Sequence, residues 1–182
     1  YTGSPITAVV ARALLHTLFS KDHEGQEALE AYKPGDKKLP YLVVAEWKGK
    51  ELVGMRYEQL LPWMRPDGDA FRVIAGDFVT TVDGTGIVHI APTFGADDNK
   101  VAKASGIAGL TVLDKDGNLR PMVDMTGRLF RLEDLDPSFI KDFVDVELYG
   151  AYAGRYVKNA YDDSLTEADE TLDVTIAMQL KQ

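Results

Sequence analysis

Apolar positions along this chain fall in short bursts, closely punctuated by glycine, proline, asparagine and aspartate. The stretch from Phe78 to Gly106 shows the pattern best. Apolar alternation on both sides of Asp83-Gly84 predicts a β-hairpin, because this dipeptide supplies the positive φ that a tight turn requires. The second strand runs through Gly86-Ile87-Val88-His89-Ile90 and stops at Pro92. Gly95 then permits a bend, and Asp97-Asp98 opens a helix that ends at Gly106.

The remaining chain repeats this rhythm. Ile6–Val10 reads as a short strand, and the spacing of Ala11, Leu14, Leu15 and Leu18 predicts a helix over 11–19. His16 on that helix and His23 in the polar loop beyond it read as surface or boundary residues. Segment 21–38 is polar, turns at Pro34-Gly35-Asp36, and carries one helical turn around Glu27–Tyr32. Strands are expected over 39–47, 51–55, 71–74, 110–113 and 119–124, with Lys48-Gly49-Lys50 and Asp114–Asn118 as hairpin turns. Asp136 caps a short helix over 137–144. Residues 149–161 read as loop and edge, and Ser164-Leu-Thr-Glu167 is a capping box that opens a terminal helix over 168–180.

Many short strands, turns about every ten residues and few helices predict a β-rich α+β fold. The expected architecture is a barrel-like, mostly antiparallel β core with peripheral helices. There is no alternating βαβ rhythm, no Walker loop and no dinucleotide-binding glycine fingerprint. Gly84-Thr85-Gly86 is too short for a phosphate loop and reads as a hairpin turn.

Composition narrows the class. A chain of 182 residues, 45% hydrophobic and 27% charged, suits a single domain over 1–182 with a real core. The absence of cysteine excludes disulfides and thiolate metal sites. A net charge of -9 argues against gripping long nucleic acid through its phosphates, and leaves room for a pocket that receives a strand end. No apolar run reaches the ~20 residues of a membrane span. The first residues lack both an initiator Met and the regions of a signal peptide, so the chain is expected to be an excised fragment or a processed chain.

The candidate chemistry lies in the central stretch. Either Asp97 or Asp98 suffices to stabilise the helix start through its dipole, an effect of about 0.3–1 kcal/mol. Adjacent helical residues point about 100° apart, so the other carboxylate faces elsewhere and calls for a cationic partner such as a substrate ammonium. His89 shares its strand face with Ile87 and Ala91. It reads equally well as a satisfied core histidine or as part of a site. No metal is expected, since His89 with Asp97 or Asp98 offers too few ligands. No Gly-x-Ser-x-Gly elbow marks a serine hydrolase.

Gly84-Thr-Gly-Ile-Val-His-Ile-Ala-Pro92, with Phe94-Gly-Ala-Asp-Asp98 and Lys100-Val101, resembles the core motif of the editing domain of isoleucyl-tRNA synthetases. That domain is the large connective insertion of the class I catalytic domain. Segments 48–58 and 149–158, the latter with Ala-Gly-Arg-Tyr-Val, are also similar to the family. His89 within Ile-Val-His-Ile-Ala-Pro favours the isoleucyl branch over its valyl and leucyl relatives.

The resemblance implies post-transfer editing: hydrolysis of mischarged valyl-tRNA(Ile), without metal or covalent intermediate. It places Asp98 and His89 at the catalytic pocket. Asp98 would hold the substrate α-ammonium and His89 would shape the amino-acid site, while Thr85, Gly86, Phe94 and Gly95 would border it. No cofactor is implied for the domain; ATP and Mg belong to the parent enzyme. The partners are the tRNA(Ile) acceptor end and the rest of the synthetase, in the cytoplasm. A hydrophobic pocket distinguishes one methylene by only about 1–3 kcal/mol, a limit for which isoleucyl-tRNA synthetases are themselves the standing example. The family's Thr-rich segment and its Tyr-Pro-His-Cys-Trp type sequence do not occur here, which fits a trimmed editing domain. The alternative function is a non-catalytic barrel module that binds an amino acid or an acceptor end.

Overall fold

Residues 4–166 and 168–181 are described by a computed structural model, in which the chain separates into two units. The first comprises the described residues of Tyr1–Met55 together with Val73–His89, and the second comprises Arg56–Arg72 with the described residues of Ile90–Gln182.

In the first unit a 3₁₀ turn at Arg12–Leu14 leads into α1 (Leu15–Leu18), followed by α2 (Gln26–Ala31) and α3 (Gly49–Leu52). Leu14 and Tyr41 are its buried apolar residues. Tyr41 is tied into place by its backbone, which donates to His23 O at 3.0 Å and accepts from Gly25 N at 2.9 Å. Its ring lies 5.2 Å from that of Phe19, and its hydroxyl donates to Glu24 Oε2 at 3.1 Å. That carboxylate and burial both raise the phenol above its usual pKa, burial foremost.

The strands expected in this unit do not form ladders. Instead of ladders this unit has isolated pairings: Glu24 with Tyr41, Val73 N to Met55 O at 2.8 Å, and Ala11 N to Thr85 O at 2.7 Å. Alternation specifies which side chains share a face but not which segment supplies the partner hydrogen bonds. The Lys48-Gly49-Lys50 turn also closes differently. It winds into α3, where the Glu51 carboxylate accepts from Lys48 N at 2.7 Å.

The second unit holds α4 (Ala96–Ala104), the β1 (Thr111–Leu113) and β2 (Leu119–Pro121) hairpin, α5 (Pro137–Phe143), α6 (Val146–Gly150) and α7 (Leu172–Gln179). β1 and β2 pair antiparallel with Val112 opposite Arg120. Asp114 closes their turn: Oδ1 accepts from Asp116 N and Asn118 N, and Oδ2 accepts from Arg120 Nε at 2.9 Å. Asp136 caps α5 as expected, accepting from Ser138 N and Phe139 N at 2.9 Å each.

The core of this unit gathers Trp63, Met64, Val112, Leu129, Leu135, Phe139, Tyr149 and Leu172. Trp63 stacks on Tyr152 with ring centroids 4.4 Å apart. Met64 pairs antiparallel with Val144 in an isolated bridge, held by Arg65 N to Phe143 O and Asp145 N to Trp63 O, both 2.8 Å. Tyr149 falls in α6 rather than in the loop expected from its sequence, and its buried hydroxyl donates to Phe130 O at 2.5 Å. The expected terminal helix begins later, at Leu172. Of its predicted capping box, Glu167 lies outside the described residues.

The α+β class therefore stands, whereas neither the β-rich composition nor the barrel does. Among the described residues the only sheet is the two-stranded β1–β2 hairpin. Helices and irregular segments, rather than a closed ladder, enclose the core of the second unit. No helix among the described residues is long and apolar enough to cross a membrane.

Candidate functional site

The residues singled out from the sequence divide between the units: Thr85, Gly86 and His89 lie in the first, Phe94, Gly95 and Asp98 in the second.

In the first unit, Gly84 (φ 66°) and Gly86 (φ 73°) both occupy the left-handed region that the turn requires. Gly86 is required for a second reason: a Cβ there would sit 2.4 Å from the Ala11 side chain. Thr85 presents its carbonyl to Ala11 N, and its hydroxyl donates to Ile87 O at 3.3 Å. His89 is exposed at the end of this unit. The turn forms, but strands 78–82 and 86–89 do not pair, so the frame expected for His89 is irregular chain rather than ladder.

In the second unit Phe94, Gly95 and Asp98 do come together. Ala91 O accepts from both Phe94 N and Gly95 N at 3.1 Å, which turns the chain into α4. Asp98, in the first turn of α4, reaches back so that Oδ2 accepts from Ala91 N at 2.9 Å. Asn99 secures the same loop by donating from Nδ2 to Pro92 O at 2.9 Å. Gly95 makes the arrangement possible, since a Cβ there would lie 2.8 Å from Asp98 Oδ2 and 2.9 Å from Cγ. Asp98 is half-buried, and its Oδ1 accepts no hydrogen bond among the described residues. Asp97 instead points to solvent, in an exposed pair with Lys100 at 3.1 Å. The ring of Phe94 is largely exposed beside this platform.

The far end of α4 is anchored in the same unit. Ala108 N donates to Asp69 O at 2.7 Å, and Arg72 donates to Ser105 O at 2.5 Å. Arg72 and Arg56 both donate to the Asp69 carboxylate at 2.7 Å and hold it below the usual carboxylate range, Arg72 contributing most. The sequence does not show the Ala91 and Asn99 contacts. Their only advance signal is a carboxylate and an amide in the first turn of a helix preceded by Pro92 and Gly95. Among the described residues no three His, Asp or Glu side chains are grouped to hold a metal ion.

This geometry offers a carboxyl group held at a helix start through Oδ2, with Oδ1 accepting no bond among the described residues. Such a group can receive a single cationic hydrogen-bond donor.

Comparison with known proteins extends this picture. No family model matches the chain. The chain is 62% identical over 181 residues to an isoleucine–tRNA ligase of Porphyromonas gingivalis and 60% identical to one of Bacteroides fragilis, in each case over the whole chain and 16% of the relative. An isoleucine–tRNA ligase of Cytophaga hutchinsonii is 45% identical over 192 residues, with the same coverage. These similarities place the chain among aminoacyl-tRNA ligase sequences. It belongs to the isoleucine–tRNA ligase family, and spans about one-sixth of the length of the curated relatives it matches.

Proposed function

We propose that the chain is the editing region of an isoleucine–tRNA ligase and hydrolyses the ester of valine misattached to tRNA(Ile). The observation that carries this reading is Asp98, fixed by Ala91 N through Oδ2 with Oδ1 left open, inside the motif that resembles the family's editing core. Oδ1 receives the α-ammonium of the aminoacyl group, a charge-assisted contact that an uncharged side chain would not replace. The ammonium is thereby held at a fixed distance from the ester carbonyl, which is how positioning lowers the barrier.

Water attacks the carbonyl carbon, and the bond to the ribose oxygen breaks. The ribose oxygen takes up a proton, releasing valine and uncharged tRNA. A hydroxyl of the terminal adenosine orients the water. His89, on the resemblance, limits which amino acids are accepted. The partners on this reading are the acceptor end of tRNA(Ile) and the rest of the synthetase, in the cytoplasm.

The test is deacylation of valyl-tRNA(Ile) by the full-length enzyme, wild type and Asp98→Asn, with isoleucine aminoacylation measured alongside. Loss of deacylation with aminoacylation retained is the expected result. Full deacylation by Asp98→Asn removes Asp98 as the ammonium anchor. Binding of the charged acceptor end without hydrolysis by the wild type would mark a non-catalytic module instead.

A further inference from the structure

A second cluster in the second unit takes no part in the chemistry above. Segments 127–131 and 154–157 run antiparallel: Leu129 N donates to Arg155 O at 2.9 Å, Gly154 N to Leu129 O at 3.0 Å, and Val157 N to Gly127 O at 3.0 Å. Arg128 stands opposite Tyr156 in this pairing. The frame brings Arg128, Arg131 and Arg155 to one cleft of about 310 Å³, at the lower end of the size range of small-ligand sites.

Each arginine has donors to spare. Arg128 lies over the Tyr156 ring, 5.8 Å from its centroid. Its Nε is buried without a hydrogen-bond acceptor, and Asp124 Oδ2 stands 3.6 Å away, within ion-pair range only. Gly154 lets Arg131 lie against the backbone, for a Cβ there would come 3.0 Å from Arg131 Cγ and 3.3 Å from Nε. Arg131 meets Glu133 only at 3.8 Å, in an exposed pair that contributes little. The Arg155 side chain forms no ion pair among the described residues.

Two carboxylates, Asp162 and Glu170, share the cleft. Asp162 accepts from Ser164 N at 2.9 Å and Oγ at 2.5 Å, and Glu170 Oε1 accepts from Thr175 Oγ1 at 3.1 Å, so both are engaged by their own loops. Among the residues lining the cleft three guanidiniums face two carboxylates, and Asp124 and Glu133, outside the lining, offset part of that charge. That balance suits one phosphate group rather than the dense charge of a duplex, which a chain of net charge -9 would repel.

We propose that this cleft binds one nucleotide of single-stranded RNA, with the phosphodiester on Arg131 and Arg155 and the base stacked at Tyr156 beside Arg128. Guanidinium forks match phosphate oxygens, and aromatic faces accept unpaired bases. The choice of RNA rests on the tRNA reading above; the phosphate and base chemistry rests on the cleft itself.

The test measures binding of a labelled single-stranded RNA trinucleotide to the full-length protein over a series of salt concentrations. Variants are Arg131→Gln with Arg155→Gln, and Tyr156→Leu, each checked by thermal melting. The double variant is expected to bind about tenfold more weakly, with the salt slope reduced by about 0.7 for each phosphate that is no longer neutralised. Tyr156→Leu is expected to weaken binding about tenfold with the slope unchanged. If the double variant melts early, Arg155→Gln alone is read in its place. Unchanged affinity and slope overturn the proposal. Inorganic phosphate that competes as strongly as the trinucleotide shows a free-anion site and also overturns it. Valyl-tRNA(Ile) hydrolysis is followed in parallel: arginine-dependent RNA binding without hydrolysis removes the editing reading and leaves the cleft, and the reverse result removes the cleft alone.

Discussion

The Asp98 carboxylate accepts a 2.9 Å hydrogen bond from the backbone N–H of Ala91, seven residues earlier in the chain. The same side chain therefore clamps the loop that enters α4 and presents an open oxygen. Its two roles are separable by substitution. Asp98→Asn keeps an acceptor oxygen for Ala91 N but removes the charge. Hydrolysis of valyl-tRNA(Ile) by the full-length enzyme is expected to fall at least about tenfold, since a hydrogen bond to a charged group is typically worth about 1.5–3 kcal/mol. The melting temperature should barely move. Asp98→Ala should lower both, and Asp97→Ala should affect neither strongly because Asp97 is exposed. Equal losses from Asp97→Ala and Asp98→Asn would refute the assignment.

Gly95→Ala offers an independent route to the same carboxylate. The φ of Gly95 is -97°, which alanine adopts freely, so backbone strain is not an issue. The new methyl would instead stand 2.8 Å from Asp98 Oδ2 and displace it. Deacylation is expected to fall as far as in Asp98→Ala, with isoleucine aminoacylation unchanged. Wild-type deacylation by Gly95→Ala would show that the carboxylate position is not critical.

Tyr149→Phe tests the core of the second unit. Tyr149 is fully buried and its hydroxyl donates to Phe130 O, while burial alone pushes the phenol well above its usual pKa. Removing the hydroxyl takes that partner from the Phe130 carbonyl, at a cost of about 0.5–1.5 kcal/mol. Chemical denaturation should show this loss as a lower midpoint with an unchanged slope. A midpoint equal to wild type would mean the carbonyl finds another donor.

Acid stability depends on Asp114. Hydrogen bonds from the Asn118 backbone, and next from Arg120, hold its carboxyl below the usual carboxylate range. A depressed folded-state value stabilises the fold above the unfolded pKa of about 3.9, and that share is lost as the pH falls through the folded-state value. Asp69, Asp124, Asp162, Asp169 and Asp173 are shifted in the same direction. Melting temperatures of wild type and Asp114→Asn, followed from about pH 6 down to pH 2, should converge on acidification. Curves that stay parallel would exclude a contribution from the Asp114 charge.

What could be read from the sequence was decided within a few residues of itself. Asp136 caps α5, Gly106 with φ 65° follows α4, and Asp114–Asn118 turns β1 into β2, because each depends on hydrogen bonds or a positive φ inside one turn. The motif around Asp98 was likewise visible as residues. Its working geometry was not: Gly95 clears space for a carboxylate that reaches back to Ala91, and only the folded loop brings those atoms together. The expected barrel failed for a related reason. Strand pairing needs a second segment to arrive at the right register, and closing the intervening loop carries an entropic cost that local alternation does not reveal. Tertiary packing also placed Trp63 and Met64 against Tyr149 and Leu172, and set Arg128, Arg131 and Arg155 around one cleft. Residues 63–64 lie far along the chain from 149 and 172, as 128–131 do from 155, so the contacts that join them are a property of the fold.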